Sequence, residues 1–148
     1  MPKFNAIFGG LVAYIMLGFY VDSTVYAIRS VHCLIQSGCV VYPKNLSAGY
    51  VDVLTVIGAL VSALVVAELA VTTPGDVPGA RLQTGNSPIN WASAVTIVYM
   101  VVWLGIGVAT FVVGYMQHPD TVPALTSSAK SWFGIAAAAV YSYFGIKP

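Results

Sequence analysis

"WASAVTIVYMVVWLGIGVATFVVGYMQ", residues 91–117, runs without a single charged side chain. A helix needs roughly 20 apolar residues to cross ~30 Å of hydrocarbon, and this stretch is long enough. Backbone groups in a bilayer have no water to bond, so only helices or closed barrels span it. Barrel strands alternate polar and apolar residues; this stretch does not. It predicts a transmembrane helix.

Working outward from it, the same reading applies three more times. The predicted spans cover about residues 4–21, 50–72, 91–116 and 125–146. Asp52 and Glu68 lie near the ends of the second, and Lys130 lies in the first turns of the fourth. Hydrophobic residues make up 58% of the chain and charged residues 7%, against roughly 25% charged in a soluble domain. The expected fold class is therefore an all-α integral membrane protein, a single four-helix transmembrane domain over residues 1–148. Six Lys+Arg against five Asp+Glu give no clustered basic footprint, so nucleic acid is excluded as a partner. Residues 25–27 imitate a signal-peptide cleavage site. The apolar run before them is long for the usual 7–15-residue core of such a peptide, so the first span is read as a retained helix.

Residues 22–49 form the longest link. Val25, Ile28, Val31 and Ile35 recur in it at helical spacing and Gly38 offers a stop, which suits a short interfacial helix. The rival reading extends the first helix beyond the bilayer. Proline and glycine mark residues 72–90 and 117–124 as loops. Four spans put both termini on one side, with Lys3, Arg81 and Lys147 facing that way and Arg29, Lys44 and Lys130 the other. The positive-inside rule ties. Paired cysteines suit an oxidising compartment, and that places the termini in the cytoplasm.

The stretch "SVHCLIQSGC", residues 30–39, holds both cysteines. Cys33 and Cys39 enclose Gly38, which lets their Cα atoms approach to ~6 Å, and a disulfide staple is one reading. His32 and His118 share that side of the membrane, and two cysteines with two histidines suit tetrahedral zinc. Their spacing matches no zinc motif. Two inert thiols are the third reading. A thiol-redox centre lacks the C-x-x-C that lowers a thiol pKa. No cofactor is expected.

Asp52 and Glu68 are separated by ~24 Å along a helix at 1.5 Å per residue. Both cannot sit outside ~30 Å of hydrocarbon, and an intramembrane acid is a functional hypothesis. One reading pairs Asp52 with Lys130 or Arg29, and Glu68 with Lys3 or Arg81. The other makes Glu68 a proton- or cation-binding carboxylate. Small residues recur on every span, including Gly10, Ala63, Ala67, Gly107, Thr110, Gly114, Gly134 and Ala138. Small residues let membrane helices pack closely. Tyr20, Tyr50, Tyr115 and Trp132 are read as anchors at one interface, whereas Trp103 is mid-span and is read as bundle core.

The function expected from this inventory is a non-catalytic structural or accessory subunit of a larger or self-assembled membrane complex. Its partners would be the lipid bilayer and either its own copies or other membrane subunits. A small channel, pore or transporter using Glu68 is the alternative. A redox or metal protein using the Cys33/Cys39 loop is the second alternative.

Overall fold

The computed structural model describes the backbone over residues 2–36, 45–71 and 91–144, with side chains over residues 8–36, 45–71 and 94–144. The chain is an all-α membrane protein of four long helices, with no strand among the described residues. Helix α1 is Pro2–Ile35. Helix α2 is Ala48–Val71, and it passes through a π-helical turn at Val53–Ile57. Helix α3 covers residues 91–117 and ends in a second π turn, Val112–Gln117. Helix α4 is Pro123–Phe144. Among the described residues, Phe8–Ile35, Ala48–Val71 and Ala94–Gln117 are long and apolar enough to cross a membrane. The fourth helix has the length, 22 residues. Thr126, Ser127, Ser128, Lys130 and Ser131 make its first turns more polar than the rest.

The four helices form a square in the order α1, α2, α4, α3, so the diagonal pairs α1–α4 and α2–α3 meet least. Close contacts set the relative depths. The Tyr14 hydroxyl donates to the Val95 carbonyl, and the Tyr14 and Tyr99 rings meet edge to face at 5.7 Å. Tyr20 lies against Gly58, and Tyr26 stacks on Tyr50 at 4.5 Å. Helix α1 therefore runs parallel to α3 and antiparallel to α2.

The predicted interfacial helix is absent as a separate element: α1 continues unbroken for 34 residues to Ile35, ~51 Å at 1.5 Å per residue. The cause lies in its core stripe. Leu17, Tyr20, Thr24, Ala27 and Val31 are all buried, and their alternating three- and four-residue spacing carries one face straight through the expected boundary. Asp22 and Arg29, which marked the end of an apolar run, are exposed on the opposite face. The bundled part of α1 is thus centred near Tyr20, well beyond the middle of the predicted span 4–21.

A tight turn joins α3 to α4. His118 N–H donates to the Val113 carbonyl at 3.1 Å, the long closure of a π turn. Asp120 then takes a left-handed conformation, φ 61°, which Asp tolerates better than most residues. The Thr126 hydroxyl pins this turn. It accepts from the Asp120 N–H at 3.1 Å and donates to the Gly114 carbonyl at 2.8 Å. In lipid, such a side chain replaces the water that would otherwise satisfy a freed backbone group.

Candidate functional site

The core carries a polar seam at mid-bundle. Trp103 Nε1–H donates to Ser62 Oγ at 2.9 Å, and the Ser62 hydroxyl donates to the Gly58 carbonyl at 2.8 Å. Beside this chain lies a cavity of about 270 Å³ lined by Tyr20, Thr55, Ser62, Ser128, Ser131 and Trp132, among others. Three buried polar atoms complete no hydrogen bond among the described residues: Thr24 Oγ1, Tyr99 Oη and Trp132 Nε1. A buried orphan costs ~1–3 kcal/mol, and of these three residues Trp132 alone lines the cavity. The lining offers hydroxyl and indole donors but no carboxylate, imidazole or thiol. Such donors can hold water or a small neutral polar molecule.

The cysteine–histidine constellation lies elsewhere. His32 is exposed at the end of α1, and His118 is half-buried in the α3–α4 turn. Cys33 is buried and is not a free cysteine. Cys39 lies outside the described residues. Among the described residues no three His, Cys, Asp or Glu side chains gather as a metal site.

The charges are distributed unevenly. Asp52 is exposed near the start of α2, and neither Arg29 nor Lys130 forms an ion pair with it. Lys130 instead reaches the Tyr115 ring, with Nζ 5.5 Å from the centroid, a cation–π contact. Glu68 is half-buried and is not without a partner. The side chains of Lys3 and Arg81 lie outside the described residues. Glu68 is not among the residues lining the polar cavity.

The small residues divide into two sets. Gly107, Thr110 and Gly114 are buried. A Cβ on Gly107 would overlap the Trp132 indole, and one on Gly114 would lie 2.8 Å from Leu125 Cγ. Trp132 and Tyr20 are thus core residues, 6% and 1% exposed, not the interface anchors their positions suggested. Gly10, Ala63, Ala67, Gly134 and Ala138 face outward, and nothing lies within 4 Å of a Cβ on Gly10, Gly18 or Gly134.

Reading the sequence for apolar runs missed Asp22 as a residue within the bundle. The three-four spacing of Leu17, Tyr20, Thr24, Ala27 and Val31 was the signal that places it there. No family model matches the chain, and neither any curated protein nor any solved structure matches it.

Proposed function

We propose that this chain is a non-catalytic subunit of a membrane assembly, formed with its own copies or with other membrane subunits. The observation that carries the reading is Asp22. It is exposed on α1, opposite the core stripe and two residues from buried Tyr20, whose ring lies against Gly58 within α2. Ionisable residues within membrane spans almost always face a bundle interior or a water-filled cavity. An outward carboxylate calls for a partner beyond the chain. Native mass spectrometry in mild detergent tests this: multiples of the 15.6 kDa chain, or a stable partner, are expected. A lone protomer in every detergent tried would overturn the reading.

In the same reading both termini face the cytoplasm, and the end of α1 with Cys33 faces the oxidising side. Cys33 and Cys39 then form a staple. Alkylation without reductant in freshly isolated membranes should leave both unlabelled, and labelling of both thiols would exclude the staple. A transport reading centred on Glu68 draws no support from the polar cavity, because that residue is not part of its lining.

A further inference from the structure

We infer that copies of this chain associate head to tail, with the outer face of α1 in one copy against the outer face of α4 in the next, and with Asp22 meeting Lys130. The inference rests on the assembly reading above and names its interface. Asp22 and Lys130 are both exposed. Each points away from its own helix's buried stripe, Leu17–Tyr20–Thr24 on α1 and Leu125–Ser128–Trp132 on α4. Because α1 and α4 occupy diagonal corners of the square, these two faces look in opposite directions across the bundle.

Their depths agree. Tyr20 and Ser128 line the same cavity, and Asp22 lies two residues, ~3 Å, further along α1. Lys130 lies two residues the other way along α4, but its ammonium reaches back over Tyr115, next to the Gly114–Leu125 contact. The carboxylate and the ammonium therefore come within about one turn of the same level.

A glycine also lies one turn from each charge. Gly18 lies one turn before Asp22 and Gly134 one turn after Lys130, and since α1 and α4 are antiparallel, both glycines lie on the same side of their charges. Both are exposed, and a Cβ on either would meet nothing within 4 Å. These bare positions permit close backbone approach beside the charges, the usual means of packing helices in lipid. Copies sharing one bilayer and one orientation are related by an axis along the membrane normal. Opposed, non-identical faces exclude a two-fold pair, so the contact is heterologous, and faces that look in opposite directions propagate it as a row of copies in the bilayer.

A membrane-permeant carbodiimide applied to the wild-type protein in its native membrane tests the contact directly. It activates a carboxylate and, where an amine touches it, leaves an amide in its place while the reagent becomes a urea. Asp22 and Lys130 of one copy face opposite ways, so an Asp22–Lys130 amide found by peptide mass spectrometry joins two copies. That product is expected. In parallel, D22K and K130D are each expected to lower the multimer fraction at least about tenfold, and the double variant D22K/K130D to restore it. Helical content and melting in detergent report whether each variant folds, and the cross-link does not depend on any variant. A wild-type multimer with no such amide and no response to either single variant would overturn this interface while leaving the assembly reading intact. A stable complex with a different subunit alone would do the same. A wild-type monomer in native membranes would remove both.

Discussion

At the scale of single residues, two contacts hold the centre of the bundle, and they differ in kind. Ser62 is satisfied twice, accepting from Trp103 and donating to Gly58. Ser62→Ala leaves the buried indole N–H without an acceptor, at an expected cost of ~1–3 kcal/mol. A double-mutant cycle with Trp103→Phe should return a coupling of about 1 kcal/mol; purely additive effects would show that the bond contributes nothing. The Gly107–Trp132 contact is steric. An added methyl would overlap the indole, and Gly107→Ala is expected to lower stability by ~1–3 kcal/mol or more through overpacking. An unchanged melting temperature would show that Trp132 has another rotamer available.

At the scale of elements, α1 carries the main departure from expectation. Hydrogen exchange across residues 22–35 should be as slow as in α2, because Thr24, Ala27 and Val31 are buried in the same core as Tyr20. Exchange as fast as in a solvent-exposed loop would restore the interfacial helix. The number and type of helices were legible in the sequence, since an uncharged run such as residues 91–117 admits no other solution in lipid. The end of α1 was legible only as the rival reading, because hydropathy averages over all faces of a helix. Asp22 and Arg29 lower that average although they lie outside, and Ser23, Thr24 and Ser30 lower it although they are buried. The polar seam was hidden for a related reason. Tyr20, Ser62 and Ser128 come from three helices, and only their packing brings them together. The two π turns left no sequence signature that periodicity detects.

At the scale of the whole molecule, the core is narrow and the outside is extensive. Phe8, Leu11, Ile15 and Phe19 are exposed along α1, as are Val98, Val101 and Leu104 along α3. Lipid alone suits most of these side chains; it does not suit Asp22. If assembly covers that face, folding and association are linked, and the melting temperature should rise with the protein-to-lipid ratio. A transition that stays fixed over roughly hundredfold dilution in lipid would speak for a self-sufficient protomer.

The π turns also determine where the chain can change length. A π turn closes over one residue more than an ordinary helical turn. Deleting one residue from Val53–Ile57 should let it close as an ordinary α-turn, with Tyr50 still on Tyr26 and Gly58 still on Tyr20. Deleting one residue from the regular stretch that follows would swing everything beyond it by ~100°, carrying Ser62 and Val65 off the core. Single-residue deletions scanned along α2 should therefore be tolerated at 53–57 and rejected at 59–65. The same holds at Val112–Gln117, which makes these two turns places where descendants of this sequence can lose a codon without repacking the bundle.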